Sequence, residues 1–407
     1  MADRPVLTII GGGVWVAALV EQLLVAIKEQ ALEIRLVARD SDRLGVIADY
    51  CRRISISRAN WRILTQTLDA GLDGVDVCVL LFRVGGLAAR ELDENFPRRF
   101  GLVGDEGLGA GGYANALRTL PTMSTIARKL AVASPDVIAI NLVAPLGMTT
   151  RVLLEQGLNA VGLCELPITT ERALRKTLPP DKSVQALNFT GLNHLGWFWS
   201  SGADLRLFEQ ATAARLVDED VLRHFGAAPL HYYYKVFNHA AARALGVADG
   251  AGRAQELGRI SAATLREFGS GVLHPPSLHK RMMPWFDDAL VPVLGALLDG
   301  GRWHGFANLR PTVDTDWCAA DTVIEGRSTL ERASMRLEEV PRPTNANLTR
   351  FLSSAARADA CIYRAALSGD VARNVRIALE EGPLNPPRSH LSELTRAICD
   401  AGGQFLP

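Results

Sequence analysis

The sequence predicts an α/β protein whose first part is a Rossmann-like, doubly wound parallel sheet and whose second part is a mainly helical α+β region. Two observations support this fold class. Short apolar strands alternate with helix-like segments up to about residue 163. Beyond that point, longer helical stretches are interrupted by segments rich in proline and histidine. The predicted domains are therefore residues 1–163 and 164–407.

The elements follow in order along the chain. Residues 6–10 form a β-branched run, three glycines follow, apolar residues then recur at helical spacing over 17–28, and residues 33–38 form a second strand. This is a βαβ unit of the expected length of about 30 residues. Further strands are expected at 75–82 and 137–142. Helical segments are expected at 205–225 and 254–268, and in 333–379 apart from a proline break at 341–343.

Composition limits the class of partner. Lys plus Arg and Asp plus Glu both total 44 in 407 residues, so no basic excess points to nucleic acid or to a membrane surface, and a small-molecule substrate is expected. The first residues lack a signal-peptide pattern, and no 18 apolar residues follow one another. Six scattered cysteines fit reduced thiols. We therefore expect a cytoplasmic protein.

The first candidate site is the loop Gly11-Gly12-Gly13, with Val14 behind it. Glycines at a strand-to-helix turn let the backbone approach a pyrophosphate, and the helix N-terminus offers free N–H groups. The motif is imperfect because Val16 or Ala17 stands where a third glycine is usual. A purely structural glycine turn is the alternative.

The ribose contact of this predicted dinucleotide site has two interpretations. The acidic residue expected at the end of the second strand is missing, because Ala38 and Arg39 come first and Asp40 follows two residues later. Either Asp40 reaches back to the ribose, or Arg39 faces a 2′-phosphate and the cofactor is NADP rather than NAD.

Several segments together carry a family resemblance. They are the glycine loop, the segments 82–94, 101–113 and 116–121, Asn141 with Pro145 and Gly147, Gly162-Leu163-Cys164 with Pro167, and Gly191-Leu192-Asn193-His194-Leu195. In this order they resemble glycoside hydrolase family four, the NAD- and divalent-metal-dependent glycosidases. The 6-phospho-β-glucosidases look most similar, and the substrate site is divergent.

The resemblance implies a hydrolase that uses redox chemistry without net redox. In the family, NAD takes hydride from C3 of the sugar, a base removes the acidified C2 proton, and the C1 leaving group is eliminated. Water then adds and the ketone is reduced again. A divalent metal on the sugar oxygens acts as a Lewis acid. Residues 1–163 would then bind the dinucleotide, and residues 164–407 would bind metal and substrate.

The resemblance also assigns the metal ligands and an acid. Cys164 and His194 match the two protein ligands of the metal, usually manganese, and leave positions open for sugar oxygens and water. The alternative is a core cysteine and a histidine satisfied by hydrogen bonds. Glu165 stands where it could protonate the aglycone oxygen, or it could merely support the metal ligand.

The base that the family uses is altered in this sequence. The family tyrosine corresponds to Pro229, which has no acid–base group. A shift of a few residues would bring in Tyr232, or His231 could take the role; otherwise the elimination step is lost. Aromatic packing is the alternative for the tyrosines at 232–234.

The remaining candidates fall in segments that line the family's cofactor and sugar sites. The cofactor candidates are Arg83 and Asn141. The substrate candidates are Arg90, Asn115, Asn193 and Arg281. Other residues expected around the sugar differ from the family pattern: Ala144 replaces a family asparagine, and residues 282–287 do not match.

Three functional hypotheses follow. The first is an NAD- and Mn-dependent glycosidase resembling the 6-phospho-β-glucosidases. The second is an NAD(P)-dependent oxidoreductase or a non-hydrolytic sugar-binding protein on the same scaffold. The third, an ordinary lactate or malate dehydrogenase, shares the fold plan but lacks support in the motifs. By resemblance we also expect a homodimer or homotetramer.

Overall fold

The computed structural model describes residues 4–178, 187–200, 205–312, 315–338 and 340–406. The strands β1 to β12 are Val6–Ile10, Leu32–Val37, Trp61–Gln66, Val77–Leu80, Ile138–Asn141, Asn159–Gly162, Leu187–Leu192, Leu195–Ser200, Ala228–Pro229, Trp303–Leu309, Ile324–Glu331 and Ser334–Leu337. The helices α1 to α16 are Trp15–Ala26, Ser41–Ile54, Leu68–Gly71, Gly86–Asn95, Gly109–Ala133, Leu146–Glu155, Leu166–Arg175, Glu209–Ala213, Glu219–Phe225, His231–Phe237, His239–Leu245, Arg253–Gly269, Val291–Leu298, Ala346–Ser368, Val371–Glu381 and Arg388–Gly403.

The strands form one sheet in two parts. Its order is β3-β2-β1-β4-β5-β6-β10-β11-β7-β8-β9, with β12 paired to β11. The first six strands are parallel and have the strand order of a dinucleotide-binding sheet. From β10 onward the pairings are antiparallel. The predicted fold class is confirmed.

The strand order reverses between β1 and β4, and this reversal positions the first site. Ile10, the last residue of β1, lies beside Val37 of β2 and Leu80 of β4. The glycine loop therefore emerges between the loops that follow β2 and β4. Ligands of open α/β sheets bind in this crevice outside the carboxyl ends of the strands.

The C-terminal helices belong to the same core as the parallel strands. Ile362 of α14, Leu379 of α15 and Leu394 of α16 are fully buried in one cluster with Leu80 of β4 and Leu120 of α5. The sheet also continues past residue 163 through β10. The predicted domain boundary at residue 163 stays a prediction.

Local pattern located some elements and missed others. Strand β1 has the predicted bounds, and α12, β4 and β5 fall within a few residues of them. Segment 205–225 is broken between α8 and α9, and Ser334–Leu337 is a strand where helix-rich sequence was expected. Strands β3 and β6 were missed. In the described part of the chain, no helix has the length and apolar character needed to cross a membrane.

Candidate active site

The glycine loop is held tightly against its neighbours. The backbone N–H of Gly11 donates to Val37 O at 2.9 Å, and a Cβ on Gly11 would lie 2.5 Å from Leu81 O. A Cβ on Gly12 would lie 2.9 Å from the Cβ of Ala38. Helix α1 begins directly behind Val14. This narrow loop at a helix N-terminus fits the phosphates of a dinucleotide.

The residues after β2 take different positions. Asp40 caps α2, where its Oδ1 accepts from the N–H of Arg43 at 3.0 Å. Arg39 is exposed. Both follow Ala38, which lies beside Gly12, and their roles as cofactor contacts stay predictions.

Cys164 follows β6, and its thiol is buried. It was predicted as a ligand of the metal site. Its Sγ donates to Glu165 Oε2 at 3.8 Å and accepts from the side-chain amide of Asn193. Burial raises the pKa of the thiol well above its usual value, and Glu165 and Glu325 raise it further. A bound cation would oppose these effects, because a metal ion favours the thiolate.

His194 occupies the two-residue turn between β7 and β8. Its φ of 65° is unusual for a residue other than glycine, and such conformations concentrate at functional sites. Its Nδ1 is buried without a hydrogen-bond partner among the described residues. Burial lowers the pKa of the imidazole and so favours the neutral form that binds metals.

The residues present therefore fit a metal with open positions. No group of three or more histidine, cysteine or acidic side chains that could hold a metal occurs within the described ranges. The predicted pair, Cys164 and His194, supplies only two ligands. A metal held there would complete its shell with water or substrate oxygens, as a catalytic ion does.

A buried polar network next to Cys164 was missed by the sequence analysis. Sheet pairing sets Glu325 of β11 beside Asn308 of β10 and beside Gly191 of β7. Glu325 Oε1 accepts from Asn193 Nδ2 at 3.0 Å and from Asn308 Nδ2 at 2.8 Å. Glu325 thus orients Asn193, whose amide reaches the Cys164 sulfur. The available signal was a carboxylate at the end of the apolar run Val323-Ile324.

Glu165 stands beside Cys164 at the N-terminus of α7. Burial raises the pKa of its carboxyl and outweighs the hydrogen bonds from the backbone and from Cys164, which lower it. Asp288 adds to the increase, and Arg281 opposes it. A raised pKa keeps a carboxylic acid protonated at higher pH, which suits a proton donor.

Tyr232 lies in the same cleft as His194. Their rings stack with centroids 4.2 Å apart, and the ammonium of Lys235 lies 5.1 Å from the Tyr232 centroid. Burial raises the pKa of the phenol well above its usual value, and Asp105 and Glu106 add to this, whereas Arg90 lowers it. Without further positive charge the phenol is protonated.

The two neighbouring alternatives for the base have different positions. Pro229 pairs with Trp197 in the sheet and has no group that could act. Although His231 is partly open to solvent, desolvation together with the nearby His194 and Lys235 lowers the pKa of its imidazole to about 4. A neutral imidazole can accept a proton, but such a low pKa makes it a weak base.

A chain of ion pairs borders the cleft. Glu106, which the sequence analysis did not single out, forms ion pairs with Arg83 and with Arg90, whose Nη1 lies 3.0 Å from Glu106 Oε1. Arg90 also holds Glu94 at 2.7 Å. Burial alone would raise the pKa of Glu106, but the charges of Arg83 and Arg90 lower this pKa to about 2. Glu106 therefore remains ionised and fixes both arginines.

Arg281 lies between two indole rings near the glycine loop. Its guanidinium carbon is 4.8 Å from the Trp15 ring and 4.5 Å from the Trp285 ring. Burial lowers its pKa, and so do the nearby charges of Arg90 and Arg83. Its Nε has no hydrogen-bond partner in the described structure. This partly buried cation is suited to meet an anionic ligand group.

Two predicted contacts are occupied by internal hydrogen bonds. Asn115 Nδ2 donates to Glu106 O at 2.8 Å and to Ala144 O at 3.1 Å. Asn141 Nδ2 donates to Thr149 Oγ1 at 2.8 Å and to Thr150 Oγ1 at 2.9 Å. Both amides hold the surrounding loops in place, and their roles as substrate and cofactor contacts stay predictions.

The structure thus brings most of the predicted residues into one neighbourhood. Stacking, hydrogen bonds and electrostatic interactions link Cys164, Glu165, Asn193, His194, Tyr232, Arg83, Arg90 and Arg281. Arg39 and Asp40 lie at the end of β2. A separate groove of about 700 Å³, lined by residues such as Trp317, Arg336 and Pro341, contains none of the predicted site residues.

A glycine loop on a Rossmann sheet, beside a cleft of buried acid–base groups, defines an enzyme built on a dinucleotide-binding fold. Residues 6–179 match the family described as Family 4 glycosyl hydrolase. The resemblance to this family predicted from the sequence is confirmed over these residues.

Similar proteins cover nearly the whole chain. A 6-phospho-beta-glucosidase of Escherichia coli (strain K12) is 25% identical over 398 residues, which cover 90% of this chain and 87% of that protein. A Thermotoga maritima 6-phospho-beta-glucosidase, solved with NAD and glucose-6-phosphate, has a TM-score of 0.82 at 21% identity and covers 98% and 99% of the two chains. A 6-phospho-alpha-glucosidase from gut microorganisms, in complex with NAD and Mn²⁺, has a TM-score of 0.80 at 16% identity and covers 99% of both. At these identities the two structures support the fold.

Proposed function

We propose that this chain is a glycosidase that requires a nicotinamide dinucleotide and a divalent metal, and that it cleaves 6-phosphorylated glucosides of the β-anomer. The observation that carries the proposal is the meeting of Cys164 with the Asn193-His194 turn and Tyr232 in one cleft. Curated relatives named 6-phospho-beta-glucosidase support the substrate class.

The loop Gly11-Gly12-Gly13 would hold the dinucleotide, and Cys164 and His194 would hold the metal. When bound, the dinucleotide supplies reversible hydride transfer at sugar C3, and the metal supplies Lewis acidity, as the family mechanism requires. Asn193, oriented by Glu325, would keep the sulfur of Cys164 in place.

The chain's own residues would move the protons. Glu165, whose pKa is raised by burial, would donate its proton to the aglycone oxygen as the bond to C1 breaks. Tyr232 would remove the C2 proton. The direction of its pKa shift means that this base needs cationic charge in the cleft, and Arg90 contributes part of it.

The 6-phosphate would meet the partly buried arginines of the cleft. Arg281 has two indole neighbours and no carboxylate within ion-pair distance in the described structure, whereas Arg83 and Arg90 share Glu106. A phosphate would give Arg281 the charge-assisted hydrogen bonds that it lacks.

The test is an assay of 4-nitrophenyl α- and β-glucosides, with and without a 6-phosphate, in the presence of NAD(P)⁺, Mn²⁺ and a reductant. We expect cleavage of the 6-phosphorylated β-glucoside only when dinucleotide and metal are both present. Failure to cleave any member of this panel would refute the proposal, and preference for the α-anomer would refute its finer part.

Cys164→Ser provides the metal test, with Cys399→Ser on α16 as the matched control. Replacing the thiol should weaken Mn²⁺ binding by about 10-fold or more, because a hydroxyl is a much poorer anionic ligand. Isothermal titration of the apo protein with Mn²⁺ measures this. Equal affinity in both variants would remove Cys164 from the metal site.

One observation favours a second candidate, a net oxidoreductase. Pro229 cannot act as the base, and burial raises the pKa of Tyr232 well above its usual value. If the elimination step is lost, NADH or NADPH would accumulate with a sugar phosphate without release of the aglycone. Absorbance at ~340 nm, followed with aglycone release in the same sample, separates the two functions.

We also propose a cytoplasmic location and a homodimer or homotetramer, both from the sequence and the family resemblance. Light scattering of the purified protein measures the assembly. A monomer at micromolar concentration would contradict the expected assembly.

A further inference from the structure

We propose that the loop after β2 binds a 2′-phosphate, with Arg39 as its main cation, so that this chain prefers NADP over NAD. The inference rests on the proposed dinucleotide site and concerns the adenosine ribose. It departs from the similar structures, which were solved with NAD.

The residue that faces the glycine loop from β2 is the first evidence. In NAD-binding Rossmann domains an acidic residue about 20 positions after the loop accepts a hydrogen bond from the ribose 2′-hydroxyl. Here β2 ends at Val37, and the Cβ of Ala38 would lie 2.9 Å from a Cβ on Gly12. Ala38 therefore occupies the place beside the loop, and it carries no carboxylate.

The nearest acid does not replace it. Asp40 is the N-cap of α2, and its Oδ1 accepts from the N–H of Arg43 at 3.0 Å. Reaching back to the ribose would break this cap, and losing an Asp cap costs about 1 kcal/mol. Binding of the ribose by Asp40 would therefore destabilise α2, whereas binding of a 2′-phosphate by Arg39 would leave the cap intact.

The cations at this point fit a phosphate. Arg39 is exposed and forms no hydrogen bond or ion pair with the residues that the structure describes. Arg43 donates to Ser261 Oγ at 2.9 Å, and its Nε is buried without a partner in the described part of the chain. Because Asp40 and Asp42 stand beside them, a dianionic phosphate can bind only if the arginines outweigh these carboxylates. Loss of Arg39 should therefore have a large effect.

Binding to the full-length apo protein tests the proposal without relying on catalysis. Isothermal titration would use NADP⁺, NAD⁺, adenosine 2′,5′-bisphosphate and AMP as ligands. We expect NADP⁺ to bind at least about 10-fold more tightly than NAD⁺, and adenosine 2′,5′-bisphosphate more tightly than AMP, because charge-assisted bonds to the phosphate are the added contacts.

Two variants and a matched control sharpen the test. Arg39→Ala should raise the Kd of NADP⁺ and adenosine 2′,5′-bisphosphate by about 10- to 100-fold and change that of NAD⁺ by less than about 2-fold. Ala38→Asp should shift the preference toward NAD⁺. Arg128 is an exposed arginine near the far end of α5, about 28 Å along that helix from Gly109. Arg128→Ala should leave the Kd of every ligand unchanged.

The outcomes are distinct. Equal or tighter binding of NAD⁺ by the wild-type protein overturns the proposal. Equal weakening of NAD⁺ and NADP⁺ binding by Arg39→Ala also overturns the proposal, because Arg39 would then not recognise the 2′-phosphate specifically. If neither dinucleotide binds, the proposed function itself fails, together with this inference.

Discussion

Cys164 and Glu165 are neighbours in the chain, and burial raises the pKa of both side chains. We expect the two groups to differ in whether they keep their protons when metal and substrate bind. A metal would draw the proton from the thiol, whereas the carboxyl should keep its proton until a leaving group takes it. The hydrogen bond from Sγ to Glu165 at 3.8 Å joins the two groups.

Glu165→Gln separates the acid role from mere support of the metal ligand. An amide cannot donate a proton to the leaving oxygen, so kcat/KM should fall by about 10²- to 10⁴-fold for alkyl 6-phosphoglucosides, whose alcohols are poor leaving groups. For a 2,4-dinitrophenyl 6-phosphoglucoside, whose leaving group needs no protonation, the fall should be small. A series of alkyl and aryl 6-phosphoglucosides, analysed against leaving-group pKa, measures this.

Glu219→Gln, an exposed position on α9, is the control for this series. An equal fall across all leaving groups in Glu165→Gln would contradict the acid role. It would instead indicate that Glu165 acts only by supporting Cys164.

At the scale of elements, the β1–loop–α1 unit depends on the absence of side chains at specific places. We expect Gly11→Ala to weaken dinucleotide binding by at least about 10-fold and to destabilise the fold, because its Cβ would press on the backbone oxygen of Leu81. Gly45→Ala is the matched control. Its Cβ meets no atom within 4 Å, and alanine inside α2 should stabilise the protein by about 0.5–1 kcal/mol.

Urea unfolding and dinucleotide titration of both variants check this pair. Tight binding by Gly11→Ala would show that the loop has room to move, and the glycine loop would then lose its role as a phosphate cradle. Destabilisation by Gly45→Ala would contradict the assumption that steric contact alone decides these substitutions.

The same element scale explains what sequence could predict. The unit from Val6 to Val37 was predictable because apolar spacing and the glycine run are local signals. Glu325 and Asn308 were not, because their meeting with Asn193 depends on antiparallel pairing between strands more than 100 residues apart. Strand β6 has only four residues, and the alternation of β3 is broken by the adjacent Ile63 and Leu64, so neither gave a clear pattern.

At the scale of the whole molecule, the C-terminus is built into the dinucleotide-binding half. Arg118 of α5 is fully buried, pairs with Asp93 of α4 at 2.5 Å and donates to Ala401 O of α16 at 3.0 Å. Leucine and isoleucine side chains of α14 to α16 fill the same core as the parallel strands. The first and last parts of the chain should therefore fold together.

Leu394→Ala tests this coupling, because Leu394 of α16 is fully buried in that core. The substitution should lower the free energy of unfolding by about 2–5 kcal/mol, since it leaves a cavity as well as losing buried apolar area. The adjacent exposed Glu393→Ala should change it by less than about 0.5 kcal/mol. Urea unfolding followed by circular dichroism, with dinucleotide binding measured at each urea concentration, should give one transition at which structure and binding are lost together. An early transition that removes helical signal while dinucleotide binding persists would mean that α14 to α16 fold independently of the Rossmann half.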